Sequence, residues 1–453
     1  MDYSGKKITV LGLGLSGYSA AKLLIELGAS VFVSDSCSCP ELEERAKELR
    51  VFGAVVELGG HSDEVFRLAD EIVISPGIPP DLDILRRAIR MRPDLPIIPE
   101  IELGFRVTKG WIIGVTGSNG KSTTVTLLGE LFKAAGREHY VVGNIGRPFC
   151  DVALSASEDA AICIELSSFQ LEGILDFRPF VACLLNLTVD HIDRHKSKLA
   201  YYTAKQRILE NQIASDYSVL SMDDSRVAML ASETAGRAVL FGIHDLGVTG
   251  AFIRNNVLTI KDLDGKISSV LPAEELGIPG PHNLSNACAA LACSLPFSLP
   301  VDAMATALRE FKGLPHRLQR VATIDGVQYI NDSKATNLDS LAVSLRSFDR
   351  RVVLIAGGYD KGADFSRLRD IVSSRVKRAF LLGDTADRIA SDWKDATRIE
   401  KVSTLPEAVL RAREAAEPGE TVLLAPGCAS YDMFKNFEER GNNFIEIVED
   451  LKK

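Results

Sequence analysis

The sequence predicts an α/β chain built as three consecutive domains, each a largely parallel sheet with helices between its strands. Three observations carry this. Short runs rich in β-branched residues alternate with helical stretches along all 453 residues. A glycine-rich or small-residue turn follows a strand in each third of the chain. The length suits about three domains of ordinary size. The expected domains are 1–108, 109–312 and 313–453.

Composition excludes several classes. The chain is 46% hydrophobic and 25% charged, as in ordinary globular proteins. A net charge of −9 provides no positive field for a nucleic-acid partner. No stretch approaches the roughly 18 apolar residues that span a membrane. The opening "MDYSGKKITVLG" runs straight into a strand, with no signal or transit pattern. Eight cysteines show no C-x-x-C and no zinc spacing, so free thiols in a reducing cytoplasm are expected.

In the first third, "KITVLGLG", "SVFVSD", "AVVELG", "EIVISPG" and "LPIIPE" read as strands. Helical runs such as "GYSAAKLLIELG" lie between them. Gly12, Gly14 and Gly17 form G-x-G-x-x-G directly after the first strand, and Asp35 ends the second. This is a Rossmann-like diphosphate cradle. A nicotinamide dinucleotide and a UDP-sugar both carry a diphosphate, so the loop alone leaves both open.

The second third starts with "GWIIGVTGSNGKSTT". A buried strand leads into Gly117, Ser118, Asn119, Gly120, Lys121, Ser122 and Thr123, and then into a helix. Glycines let backbone N–H groups wrap a triphosphate, and the helix start adds partial positive charge. Lys121 is placed to reach the outer phosphates and the Ser122 hydroxyl to hold Mg²⁺. The match to a Walker A loop lacks one glycine, since Val115 occupies that position. An ATP site is still the expectation. Further strands "AAICIELSS" and "FVACLLNLT" follow, with Glu165 at the end of the first and Asn186, Asp190, His191 and Asp193 after the second; Lys205 follows on a helix. Strand ends of an open sheet gather at the ligand, so these side chains are candidates for metal binding and proton transfer. Residues 235–275 look like a β-rich insertion, followed by two helices.

In the last third, "KGLPHRLQRV" is a joint with Gly313 and Pro315. Beyond it "NDSKATN", "AGGYDKGADF" and "APGCASYDMFKNF" put Asp332, Lys334, Thr336, Lys361, Ser430 and Phe437 after strands. Ammonium and hydroxyl donors there suit a dicarboxylate. His316-Arg317 at the joint offers a guanidinium for phosphate oxygens.

Taken in order, "TGSNGKSTT", "ELSSFQLE", "NLTVDHIDRH", "YYTAKQRI", "GPHNLSNA", "GLPHRLQ", "NDSKATN", "GGYDKGADF" and "APGCASYDMFKNFEERG" resemble the Mur ligase superfamily across nearly the whole chain. The resemblance implies an ATP-dependent amide ligase of peptidoglycan precursor synthesis. It implies a Rossmann-like N-terminal domain, a P-loop central ATPase domain and a Rossmann-like C-terminal domain. "GLGLSG", "ISPGIP" and "SYDMFKNFEERG" resemble the branch that adds D-glutamate to UDP-N-acetylmuramoyl-L-alanine.

Residue roles then follow from the resemblance. Gly117 to Thr123 would hold ATP, with Asn283 and Asn286 at the adenine and Arg317 and Asp332 at phosphate and ribose. Ser122 and Glu165 would bind one Mg²⁺; His191 and a CO₂-derived carbamate on Lys205 would bind a second. Gly14, Leu15, Ser16, Gly17, Asp35, Ser75, Gly77 and Asn144 would hold the UDP-sugar. Thr336, Lys361, Ser430 and Phe437 would receive D-glutamate. The enzyme is expected to act as a cytoplasmic monomer, in cell-wall synthesis tied to cell shape and division. Three readings stay open beside it: a sister or folylpolyglutamate-type ligase, an NAD-dependent oxidoreductase, and a nucleotide-switched binding module.

Overall fold

The computed structural model describes residues 2–79, 82–188, 195, 197–278, 280–360 and 362–452. The chain divides into two compact units, Met1–Phe311 and Lys312–Lys453.

The first unit holds two sheets. One has five parallel strands in the order Val55–Leu58, Ser30–Asp35, Lys7–Leu11, Glu71–Ile74, Ile97–Pro99. The strand order reverses beside Lys7–Leu11, so the first glycine loop opens at the point where such sheets bind ligands. The other sheet has nine strands, with Trp111–Thr116 between Val181–Leu184 and Ala161–Glu165. Its order also reverses there, which places the second glycine loop at the equivalent point. The β-rich stretch anticipated at 235–275 extends this sheet instead of standing apart from it. Arg237–Gly242 and Gly250–Arg254 continue it in parallel, and Val257–Lys261 and Ile267–Pro272 close it antiparallel. In this unit two strands went unread in the sequence, His139–Gly143 and Tyr217–Ser221.

Alternate side chains of Trp111–Thr116 feed different cores. Ile113 and Val115 pack with the helices Lys121–Ala134 and Pro281–Ser294. Ile112 joins a core that also contains Val10 and Val33 of the five-stranded sheet and Leu24 of the helix that follows its first strand. One apolar core therefore ties both sheets of this unit together.

The helix Glu100–Val107 runs from the first sheet into the second and carries buried charge. The Glu102 carboxylate accepts the backbone N–H groups of Leu175, Asp176 and Phe177 at 2.9–3.0 Å and pairs with Arg106. Arg106 also holds Glu71 at 2.6 Å, and Glu71 accepts from Tyr3. Glu100 accepts the Cys150 N–H at 2.6 Å through one oxygen; its other oxygen has no hydrogen-bond partner among the described residues.

The second unit is a six-stranded sheet in the order Gln319–Ile324, Val327–Asn331, Thr421–Leu424, Val352–Gly357, Val376–Leu382, Arg398–Lys401. Gln319–Ile324 pairs antiparallel and the rest are parallel. Among the described residues no helix is long and apolar enough to cross a membrane. All eight cysteines are free.

Burial pushes the Glu100 carboxyl up from 4.5 to about 7. A folded-state pKa above the unfolded one favours folding at low pH and withdraws that contribution as pH climbs to the folded value. The loss amounts to about 3 kcal/mol between roughly pH 4.5 and pH 7. Glu100→Gln is therefore expected to match the parent in urea unfolding near pH 4 and to exceed it near pH 8. An equal difference at both pH values would show that Glu100 does not titrate in this window.

Candidate active site

The second glycine loop is shaped by contacts that leave no space for side chains. Gly120 precedes the helix Lys121–Ala134 with φ of +86°, and a Cβ there would lie 2.3 Å from Asn286 Oδ1. At Gly117, φ is +154° and a Cβ would meet Leu185 Cβ at 2.9 Å. The loop is also bonded to the segment after Val181–Leu184. Ser118 N–H donates to Asn186 O at 3.1 Å, Asn119 N–H to Asn186 Oδ1 at 2.9 Å, and Ser118 Oγ to Thr188 O at 2.8 Å.

Two ammonium groups meet at one carbonyl. Gly117 O accepts from Lys121 Nζ at 3.0 Å and from Lys205 Nζ at 2.8 Å. Lys121 Nζ also donates to Ser118 O at 3.0 Å. Lys205 is buried on the helix Lys198–Gln206, its Nζ 4.8 Å from the centre of the Tyr201 ring. Ser122 is buried and Thr123 half-buried in the first turn of the loop's helix.

Glu165 ends the strand next to the loop, in register with Val115 and Gly143. It is buried. Oε1 accepts from Asn144 Nδ2 at 3.0 Å, while Oε2 has no hydrogen-bond partner among the described residues. A buried carboxylate oxygen left in this state suits a hard cation such as Mg²⁺. Asn144, expected at the UDP-sugar, is thus found beside Glu165. Among the described residues no three His, Cys, Asp or Glu side chains gather into a metal cluster. His191, expected at a second ion, lies outside the described residues, as do Asp190 and Asp193.

Asn286 reaches the same loop from the helix Pro281–Ser294, with Asn283 beside it. Asn286 Nδ2 donates to Asn283 Oδ1 at 3.3 Å, and Asn286 Oδ1 lies 3.5 Å from Thr124 Oγ1. Sequence reasoning passed over a nearby group of side chains. His195 is buried between Ser168 Oγ, 2.9 Å from Nε2, and Glu172 Oε1, 3.0 Å from Nδ1. It stacks on Phe169 and meets the edge of Tyr201, whose hydroxyl donates to Ser118 Oγ at 3.1 Å. The stretch "SSFQLE" contained the signal, because Ser167 and Gln170 form a capping box that starts the helix carrying Ser168.

At the first glycine loop, the helix is Leu15–Glu26, two residues earlier than the fingerprint suggests. Gly17 lies inside its first turn, where a Cβ would be 1.7 Å from Gly12 O. Gly14 has open space around it, Leu15 is exposed, Ser16 is half-buried and Gly77 is exposed. Ser75 Oγ donates to Gly12 O at 3.1 Å. Asp35 accepts from Leu13 N–H at 2.7 Å and Cys37 N–H at 2.8 Å, so its carboxylate shapes this loop.

In the second unit, the candidates follow three adjacent strands. Thr336 is half-buried, Ser430 buried and Phe437 half-buried, with Lys334 Nζ 5.0 Å from the Phe437 ring centre. Lys361 lies outside the described residues. Asp332 is buried and accepts from Ser344 Oγ and from Leu318 N–H at 3.1 Å; burial raises its pKa. Arg317 acts on the Asp332 carboxylate electrostatically. His316, beside it, takes φ of +61° and contacts Asn331 at 3.0 Å, and burial lowers its pKa.

Comparison with known proteins gives a consistent result along the chain. Residues 6–95 match the MurD-like N-terminal domain of Mur ligases, 115–294 the Mur ligase middle domain, and 316–428 the Mur ligase glutamate ligase domain. The chain is 40% identical to a UDP-N-acetylmuramoylalanine–D-glutamate ligase from Caldanaerobacter subterraneus subsp. tengcongensis. It is 41% identical to one from Alkaliphilus oremlandii, and both alignments cover 100% of each chain. A UDP-N-acetylmuramate-alanine ligase from Thermotoga maritima shares the fold, with a TM-score of 0.60 at 19% identity over 98% of this chain and 99% of that one. A pseudomurein peptide ligase from Methanothermus fervidus has the same score at 21% identity, covering 99% and 100%.

The crowding at Gly120 has a measurable consequence. Gly120→Ala is expected to weaken ATP binding by about tenfold or more, since the loop must shift off Asn286. Gly136→Ala also has a positive φ but has nothing within 4 Å of its Cβ position, and is expected to leave ATP affinity unchanged. Calorimetric titration of both variants checks this; parallel behaviour would remove the steric argument.

Proposed function

The chain belongs to the Mur ligase family, with its three-domain α/β fold, and we propose that it joins D-glutamate to UDP-N-acetylmuramoyl-L-alanine while converting ATP to ADP and phosphate. This is a carbon–nitrogen ligation of peptidoglycan precursor synthesis. The observation that carries it is the buried Glu165 carboxylate, with a spare oxygen, in register beside a phosphate-binding loop that carries Lys121 and Ser122. The full-length similarity to D-glutamate ligases supports the choice of amino acid.

A carboxylate and an amine do not condense in water without activation. The substrate carboxylate attacks the γ-phosphorus of ATP, the bond to the β-phosphate oxygen breaks, and an acyl phosphate forms with ADP as leaving group. The uncharged amine of D-glutamate then attacks the acyl carbon. The nitrogen of the tetrahedral intermediate gives up a proton to the departing phosphate or to solvent, phosphate is expelled, and the amide remains.

Lys121 offsets the repulsion between the triphosphate and the approaching carboxylate. The loop N–H groups and the helix start hold the phosphates in line. Ser122 and Glu165 suit one Mg²⁺, and His191 with a carbamate on Lys205 would complete a second site. When bound, the ions supply charge neutralisation and Lewis acidity. A carbamate is chemically reasonable at Lys205. It keeps one N–H for the Gly117 carbonyl and turns one of the two cations at that oxygen into an anion. Gly14 to Gly17 cradle the diphosphate of the UDP-sugar. Thr336, Lys361, Ser430 and Phe437 receive D-glutamate. The free thiols suit a cytoplasmic setting.

The decisive assay is phosphate release from ATP with UDP-N-acetylmuramoyl-L-alanine and D-glutamate, L-glutamate or L-lysine in turn. Release confined to D-glutamate is expected, and release with L-lysine alone would identify a sister ligase. Lys121→Ala should lower kcat by about 10²–10³-fold, as for loss of a transition-state donor. Lys205→Ala should be largely inactive and partly restored by short carboxylic acids. A folded Lys205→Ala protein with full activity would exclude the carbamate.

A further inference from the structure

Arg440 lies on the closing helix Phe437–Asp450 and is buried. All five of its N–H groups are used, and each partner is neutral. Nε donates to Ser333 Oγ at 3.0 Å and Nη2 to Ser333 O at 2.8 Å. Nη1 donates to Cys428 O and Ala429 O at 3.2 Å each, and Nη2 also to Cys428 O at 3.2 Å. Ser333 Oγ in turn donates to Phe437 O at 2.8 Å.

These bonds join the segments that matter for the amino-acid substrate. Cys428 and Ala429 immediately precede Ser430. Ser333 begins the turn leading to Thr336, and its hydroxyl holds the backbone of Phe437. The fork of one guanidinium therefore ties together the turns after Val327–Asn331 and Thr421–Leu424 and the start of the last helix. The third neighbouring turn is close as well, since a Cβ on Gly358 would be 2.3 Å from Ala429 O and 3.3 Å from Arg440 Nη1.

Among the described residues no carboxylate forms an ion pair with Arg440. Asp432, the acid whose field reaches it, spends an oxygen on the Asp384 N–H at 3.2 Å. Burial pushes the guanidinium down to about 10, which still leaves it charged at neutral pH. A buried cation is normally paired with an acid. Here carbonyl dipoles solvate it, and its net charge remains.

We propose that Arg440 is a positioning and specificity residue for the amino-acid substrate: its fork aligns the turns that carry Ser430, Phe437 and Thr336, and its unpaired charge favours a ligand with a second carboxylate. This rests on the placement of D-glutamate in the second unit. A buried charge acts over a longer range than an exposed one because water screens it less. D-glutamine, the neutral isostere of the side chain, gains nothing from that field.

Two variants separate fork from charge. Arg440→Lys keeps the charge and loses the planar fork. It should raise the KM for D-glutamate about tenfold or more while retaining the preference for D-glutamate over D-glutamine. Arg440→Met removes the charge at similar volume, and should in addition lower that preference by about tenfold. The KM for ATP should move little in either variant, and circular dichroism melts report whether each one folds. A wild-type preference in folded Arg440→Met, or a lost preference in Arg440→Lys, overturns the role of the charge. Ser430→Ala serves as the reference for the site itself. If it leaves the KM for D-glutamate unchanged, the placement of the substrate fails. If it raises KM while both Arg440 variants behave as wild type, only the Arg440 proposal fails.

Discussion

A single carbonyl oxygen, that of Gly117, receives the ammonium groups of both Lys121 and Lys205. Two like charges at one acceptor repel each other, and they persist only because the surrounding backbone fixes them there. Gly117 can turn its carbonyl this way because its φ of +154° is open to glycine. Ser118 and Asn119 are pinned by Asn186, and Tyr201 braces Ser118 from the helix that carries Lys205. These contacts fix both lysine side chains at the start of the loop's helix. The buried oxygen of Glu165 is the matching negative feature one strand away.

Elsewhere the fold uses buried charges as ties between segments that have no ladder between them. Glu102 gathers three consecutive N–H groups at 175–177, and Arg440 gathers carbonyls from two turns. The logic is the same with opposite sign. A charged group makes stronger hydrogen bonds to backbone than a neutral one, and several such bonds compensate its burial. Both charges sit on a helix flank next to strand ends, so each converts a set of loops into a fixed surface. The two differ in their counter-charge. Glu102 has Arg106 within reach, and Arg440 has carbonyl dipoles in that place.

Glycines mark where the backbone is used in place of side chains. Gly12 and Gly17 pack against each other and Ser75, so the first loop turns tightly where a Cβ has no room. Asp35, at the tip of the next strand, holds Leu13 N–H and keeps that loop open. The same residue types would serve a dinucleotide, so the geometry of this loop is general. What distinguishes the chain is the second loop downstream and the six-stranded unit after it.

The order of strands and loops was determined by the sequence itself. Buried strands such as Trp111–Thr116 and Val352–Gly357 are continuous apolar runs, and glycine turns announce where they end. Two edge strands were not legible. His139–Gly143 and Arg398–Lys401 expose part of each face, so their side chains carry no hydrophobic period. Nor did the sequence show that Asn144 faces Glu165, that Asp35 serves its own loop, that His195 links Ser168 to Glu172, or that Arg440 bonds the turns at Ser333 and Cys428. Each of these depends on residues between 20 and 110 positions apart being brought within 3 Å or so. Local pattern sets which residues stand at strand ends. Only the packing of sheets and helices decides which of those ends meet, and with what partner each buried charge is left.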